Sequence, residues 1–302
     1  MRIDFLVTEE YDKRKVYNIL KGPLALSENL IRRLKTTQGI LLNGNPARTI
    51  DPVSLGDTVS INLEFNEEVH FDAEDIPLSI IYEDDSFLAV DKGPYMPVHP
   101  SFGHNTGTLA QAVLWHFNKQ GLNIKVRPIN RLDRDTSGIT LFAKNPYVQD
   151  QLTRQMKEDK VFKAYLGIVH GTFEPLKGTI RLPIARKEGS ILERTIDPSG
   201  LDSITDYETL DVYGDLSLVK FILKTGRTHQ IRVHSKAMGH PLIGDWIYSD
   251  IPTSLIDRQA LHCHQLFFDH PVSGKRIELT SPLPDDMKKV LEHAENTKFK
   301  TK

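Results

Sequence analysis

Hydrophobic positions first recur at helical spacing after Ser27, where Leu30, Ile31 and Leu34 form one stripe and Arg32, Arg33 and Lys35 fall outside it. Ser27 suits the cap of that helix, because its hydroxyl can accept a backbone N–H of the first turn. The period then changes. GILLNGNPARTIDPVSLGDTVSINL predicts a strand, an Asn-Gly turn, a polar link and a second strand, with Gly44 and Gly56 where turns need them. This compact stretch predicts a small module over residues 1–65. NEEVHFDAEDIP follows, crowding Glu67, Glu68, Asp72, Glu74 and Asp75 before Pro77, and predicts a solvated acidic linker over 66–77.

From Leu78 the pattern is that of a longer mixed body, 78–302. SIIYEDDSFLAVDK reads as two short strands about an acidic turn, and TLAQAVLWHF as an amphipathic helix opened by a capping box of Thr108 with Gln111. GITLFAKN is a strand, after which Pro146 suits the first turn of the helix PYVQDQLTRQMKED. FKAYLGIVHG and DYETLDVYGDLSLVKFILKTG add further strands. RTHQIRVHSKAMG predicts a helix stopped by Gly239, and PDDMKKVLEHAEN a last one. Strands follow one another through short turns instead of alternating strictly with helices. The expected fold is therefore α+β with a mainly antiparallel mixed sheet.

Composition narrows the class. The chain has 302 residues, 39% hydrophobic and 26% charged, which excludes wholesale disorder and disulfide miniproteins. No apolar run approaches the roughly 20 residues of a membrane helix, and the start lacks a signal peptide's apolar stretch. A cytoplasmic location with no membrane partner is the expectation. The single cysteine, Cys263, excludes an intramolecular disulfide and a multi-cysteine zinc cage. With 38 basic against 40 acidic residues the formal net charge is −2, so the chain as a whole does not attract a polyanion. Part of the negative charge sits in the acidic stretch Glu67 to Asp75. Nucleic-acid binding would rest on local clusters, Arg32 to Lys35 and Arg227 to Arg232.

Reactive residues are densest in RPINRLDRDTSGITLFAKN, where Arg131 and Arg134 flank Asp133 and would favour its charged form. A positioned, ionised aspartate can act as nucleophile or general base; the plainer reading is a surface turn with paired charges. KTGRTHQIRVHSKAMGHPLIGD supplies Arg227, His229, Gln230, Arg232 and His234, which suit anion recognition or an ordinary solvated helix face on which Arg232 and Thr228 would lie four apart. His262 and His264 share a strand face, with His234, His240 and His270 elsewhere, but a third ligand of defined spacing is missing, so no metal site is assigned. Ser137 lies in Asp-Thr-Ser-Gly, which is not a GxSxG elbow, and reads as a turn residue. Walker, GxGxxG and HExxH strings do not occur in the sequence.

INRLDRDTSGITLFAKN resembles the catalytic motif of the RluA/RluD-type pseudouridine synthases, usually HRLDxxTSG before an apolar strand. FKAYLGIVHG resembles that family's KxY motif, TGRTHQIRVH its third motif, and FLAVDKGPYMPVHPS and LHCHQLFFDHPVSGKRIELTSPLPDDM its early and closing segments. The resemblance runs from Leu78 to about Lys289 and implies an RNA pseudouridine synthase without a cofactor. It implies Asp133 as the catalytic aspartate, Tyr165 against the flipped base and Arg232 as the aspartate's partner. Arg131, as a wedge, and Arg227 would contact RNA. Ribosomal RNA is the implied substrate, with transfer RNA as the alternative, and no obligate protein partner is implied. The N-terminal unit resembles the ribosomal-protein S-four type of RNA-binding module, which implies phosphate contacts from Arg32, Arg33 and Lys35. Asn130 stands where the family usually has histidine, and Gly93 to Tyr95 replace Pro-Ala-Gly. The competing readings are a catalytically inactive RNA-binding or ribosome-assembly protein, resting on Asn130, and a metal-dependent hydrolase resting on the histidines.

Overall fold

Strands of the computed structural model, which describes residues 1–300 other than 66, 102 and 104 and excludes the side chains of 298–300, fall mostly into two sheets of unlike size. The smaller is built from β1 (Arg2–Leu6), β2 (Ile40–Leu42), β3 (Asn45–Pro46) and β4 (Thr58–Asn62) in the order β1-β4-β2-β3, all antiparallel. Asn43 and Gly44 turn β2 into β3 with φ of 50° and 82°, the left-handed pair such a hairpin turn requires. The Asn43 side chain also bridges to Asp57 and to the Thr58 N–H. Two helices, α1 (Val16–Lys21) and α2 (Glu28–Thr36), cover this sheet. The Ser27 hydroxyl accepts the Leu30 N–H at 3.2 Å, and the stripe of Leu30, Ile31 and Leu34 is buried.

The larger sheet orders its strands β10-β13-β14-β9-β15-β8-β6-β5, with β16 beside β15 and β7 beside β8. Its elements are β5 (Ile80–Glu83), β6 (Phe87–Lys92), α3 (Leu109–Lys119), β7 (Arg127–Pro128), β8 (Ser137–Ala143), α4 (Pro146–Lys157), β9 (Phe162–His170) and β10 (Lys177–Arg181). A separate hairpin of β11 (Ile184–Arg186) and β12 (Arg194–Ile196) follows. Then come β13 (Ile204–Tyr213), β14 (Leu216–Leu223), α5 (Gln230–Ala237), β15 (Leu261–Asp269), β16 (Arg276–Thr280) and α6 (Asp285–Lys300). Among the described residues β8 and β15 form the one parallel pairing, so the sheet is mixed and mainly antiparallel. Gly138 makes that pairing possible: at φ 110° a Cβ there would lie 2.3 Å from the Cys263 carbonyl oxygen. The sheet is covered on both faces. Val169 of β9 joins the core under α3 and α4, while its neighbour Ile168 joins Met287, Val290 and Leu291 of α6.

Three expectations change. The segment after residue 65 is not wholly solvated, although Asn66, its first residue, lies outside the described residues. Glu67 is buried, accepting from Arg33, Arg127 and the Lys125 N–H, and Glu74 accepts from Gly107 N–H and Gln111. The apolar core likewise runs on from Val16 and Leu34 to Val148 and Leu152 of α4. Second, α5 begins at Gln230, so Arg227 and Thr228 precede the helix and Thr228 shares no helix face with Arg232. Met238 is exposed, whereas Gly239 ends the helix region at φ 83°. Third, Ser137 is not in a turn. It opens β8 and is buried, with its hydroxyl 3.0 Å from His262 Nδ1.

Candidate active site

Asp133 sits on the loop from β7 to β8, and this loop is fixed from three directions, twice through its backbone and once through a side chain. The Lys92 ammonium donates to the Arg134 carbonyl at 2.9 Å, Arg258 Nη1 to the Asp135 carbonyl at 3.1 Å, and Gln259 Nε2 to Thr136 Oγ1 at 3.2 Å. Arg258 is itself held by both carboxylate oxygens of Asp286 at the start of α6. Asn130 binds the loop's entrance to β8, donating to the Ile139 carbonyl at 2.9 Å and accepting the Leu141 N–H at 2.8 Å. The departure at this position is therefore turned into the protein and does a strand's hydrogen bonding with a side chain. Arg134 does not flank Asp133 as its sequence position suggests; it forms a two-pronged pair with Asp135 at 2.8 and 2.9 Å.

The partner of Asp133 comes from α5. Arg232 Nη1 donates to Asp133 Oδ2 at 3.1 Å, while its Nε and Nη2 hold the two oxygens of Asp245 at 2.7 Å each. Burial works against the Arg232 charge, but Asp245 and then Asp133 outweigh it and push its pKa up. Asp245, with a side chain 0% exposed, therefore carries most of the pairing, and the third prong is left for Asp133, which is 27% exposed. His229 adds a second contact, its Nε2 3.7 Å from the same Asp133 Oδ2. It caps α5 in the left-handed region at φ 58°, an uncommon conformation for a non-glycine residue. Its Nδ1 lies 2.8 Å from the Tyr248 hydroxyl, which also accepts the Arg194 N–H. Burial pushes His229 below the ordinary imidazole range, against the opposing pull of Asp133. Among the described residues Oδ1 of Asp133 takes no hydrogen bond, so one oxygen is spent on orientation and the other is left without a partner.

Tyr165 projects from β9 into the same cleft, of about 60 Å³, which Arg131, Asp133, Arg227, His229 and Arg232 also line. Burial, with Cys263 and then Asp133 beside it, pushes the Tyr165 hydroxyl well above its ordinary value. Cys263, opposite Tyr165 across β9 and β15, is itself pushed up to about 12 by burial, which keeps the lone thiol protonated and inert.

Five of the eight residues singled out in the sequence thus meet at one cleft, and the other three lie on α2. Arg32 and Lys35 are exposed there. Arg33 is turned inward, 2.6 Å from Glu67 and with its guanidinium 3.8 Å above the Phe65 ring. His262 and His264 both reach the Ser281 carbonyl, at 3.3 and 2.6 Å, and among the described residues no group of three side chains is arranged to hold a metal. The sequence reading missed His229, Asp245 and Tyr248 as a unit. Asp245 closes the same basic string, yet a carboxylate 13 positions from Arg232 and beyond a glycine stop carries no local signal.

The model of the family described as RNA pseudouridylate synthase matches residues 86–237. The chain is 37% identical over 274 residues to a Bacillus subtilis protein named uncharacterized RNA pseudouridine synthase YjbO, covering 89% of this chain and 96% of that one. It is 33% identical over 282 residues to ribosomal large subunit pseudouridine synthase D of Vibrio cholerae, covering 89% and 82%. Among solved structures, human RNA pseudouridylate synthase domain containing 1 superposes with a TM-score of 0.55 at 30% identity, over 68% of this chain and 83% of that one. The corresponding human domain containing 4 gives 0.59 at 20% identity, over 72% and 93%, and so shows the fold alone. No helix among the described residues is long and apolar enough to cross a membrane.

Proposed function

The chain belongs to the RNA pseudouridylate synthase family, and from that premise we propose that it isomerises particular uridines of structured RNA, foremost large-subunit ribosomal RNA, with Asp133 as the acting carboxylate and no cofactor. The observation that carries this reading is the Asp133 carboxylate, oriented through Oδ2 by Arg232, with Oδ1 left unpartnered, on the wall of a cleft that Tyr165 also lines. In the isomerisation the bond from uracil N1 to ribose carbon 1′ breaks, the base turns, and a bond from carbon 5 to carbon 1′ forms. The carbon 5 proton leaves and N1 ends protonated, so every heavy atom is retained. Asp133 acts on the ribose, as nucleophile at carbon 1′ or base at carbon 2′; either role needs the anion that Arg232 favours. The ring of Tyr165 offers a face to the extruded uracil. The late proton removal at carbon 5 that the family resemblance gives to Tyr165 works against burial, which favours the protonated hydroxyl.

Extruding a base costs a few kcal/mol, least where it is already unpaired, so a loop is the favoured context. Arg131 fills the space the base leaves, and Arg227 contacts the adjoining backbone. Residues 1–65 serve as an RNA-binding module of the S-four type through Arg32 and Lys35, joined by 66–77 to a catalytic body over 78–302; Arg33 contributes through Glu67 instead. The test is tritium release from RNA labelled at uridine carbon 5. Release by the native protein and its collapse in Asp133→Asn support the reading; release that the substitution leaves unchanged refutes the assignment of Asp133. Absence of release from every cellular RNA refutes the function.

A further inference from the structure

Beside the catalytic cleft lies a larger cavity of about 450 Å³, in the size range of sites that enclose a whole small molecule. Its walls are the β11–β12 hairpin, the turn at Gly200 and Leu201, and the 226–228 loop that leads into α5. Arg227 lines both spaces, so the cavity and the cleft share a wall.

Its charge is unusual. Arg186 and Arg194 stand directly opposite each other in the hairpin register, an arrangement that costs stability when nothing lies between the charges. Among the described residues neither guanidinium makes an ion pair: Arg194 reaches only the carbonyls of Leu192 and Glu193, at 3.3 and 3.1 Å. Arg227 donates to the Asp202 carbonyl at 3.1 Å and likewise has no carboxylate. Two nearby acids are engaged elsewhere, Glu193 with Lys187 and Asp197 with the Ser199 hydroxyl and N–H. Three arginines without a carboxylate partner thus line an open space, with apolar Leu201, 62% exposed, on its wall. That is the chemistry of a phosphodiester clamp with a surface for the attached base.

We propose that this cavity binds the phosphodiester and base of the nucleotide next to the target uridine, so that the enzyme grips two successive nucleotides of one RNA strand. The inference rests on the isomerase reading and extends it, because Arg227 lines both spaces and a strand whose uridine enters the cleft runs on past it into the cavity. The opposed arginines are then a binding device whose repulsion the RNA relieves.

The test uses the full chain and a fluorescent decameric oligouridylate, with binding measured between roughly 50 and 200 mM salt. The double variant R186Q/R194Q should bind at least about tenfold more weakly at low salt and lower the log–log salt slope by about 1.4, the value for two single-strand phosphate contacts. R186K/R194K should keep the slope. The glutamine variant should melt no earlier than the native protein, because it removes like charges that face each other. In tritium release from bulk RNA its KM should rise while kcat stays within about twofold, since the chemistry at Asp133 is untouched. An unchanged slope in the glutamine variant, with native tritium release intact, overturns the clamp and leaves the isomerase reading standing. Earlier melting in parallel with weaker binding also overturns it, because the arginines would then hold the hairpin together. Inorganic phosphate that saturates the native protein without displacing the decamer overturns it as well. Loss of native tritium release with the slope change preserved would instead refute the isomerase reading while retaining an anion site.

Discussion

Glu67 and Asp133 are both carboxylates held by arginine, and the contrast between them separates a fastener from the carboxylate proposed to react. Glu67 is 2% exposed and spends both oxygens: Arg33 and Arg127 on one, Arg127 and the Lys125 N–H on the other. Burial opposes its charge, but the two arginines win and hold it below the usual carboxylate range. Asp133 keeps an oxygen and more than a quarter of its surface free, and its arginine is already bound to a second, fully buried carboxylate. Ion pairing is common to the two clusters. What differs is whether any valence is left for a substrate.

Substitution separates the clusters most sharply. Asp133→Asn should cut tritium release by about a hundred- to ten-thousandfold, while unfolding free energy stays within about 0.5 kcal/mol, because Arg232 remains paired with Asp245. Glu67→Gln should do the reverse, losing about 3–5 kcal/mol in denaturant unfolding as buried Arg127 and half-buried Arg33 lose their counter-charge, with release per folded molecule unchanged. A Glu67 variant that folds normally yet loses activity would break the comparison.

Acid should sharpen it. His262, in contact with Ser137 where the Asp133 loop enters β8, is pushed down to about 4 by burial. Between its unfolded value near 6.5 and about 4 the unfolded chain binds the proton more readily, so stability falls as pH drops through that window by up to about 3 kcal/mol. His229 and His234, also lowered by burial, act in the same direction. The Glu67 cluster has the opposite dependence on charge: its contribution is present above the unfolded carboxylate value and is lost only as pH falls through its lowered folded value. Unfolding curves at pH 7, 6 and 5 should therefore show loss that His262→Gln diminishes and Glu67→Gln does not. The smallest effect is expected at Asn130. Removing its two bonds to β8 in Asn130→Ala should cost about 1–2 kcal/mol, with activity falling through a looser loop; loss of RNA binding at unchanged stability would give Asn130 a direct contact instead.

Local chemistry was legible wherever a residue's partner lies within a turn of it. Ser27, the Thr108 and Gln111 box, Pro146 at the first turn of α4, the Asn43–Gly44 turn and the Gly239 stop are all read within four positions, and all appear as expected. Reading by proximity failed where two charges are equally near or the partner is far along the chain. Arg134 lies between Asp133 and Asp135 and pairs with Asp135, and Arg33 looks like a surface cation until Glu67 is brought against it. Ser137 looks like a turn residue because the apolar run starts only at Gly138, and the pairing that takes Ser137 into the strand, opposite His262 of β15, is tertiary.

The sequence by itself determined the class of fold, most of the helices and strands, and the short strings that carry Asp133, Tyr165 and Arg232. These depend on hydrophobic period and on hydrogen bonds closed inside one element. Tertiary structure alone decided that Arg232, 99 positions from Asp133, reaches it with one prong while Asp245 takes the other two, and that Glu67 is buried and fully engaged. It also set Arg186 against Arg194 around an open cavity. The physical reason is that a charge's partner is chosen by which side chains share its low-dielectric surroundings once the sheets have packed, and sequence distance does not enter that choice.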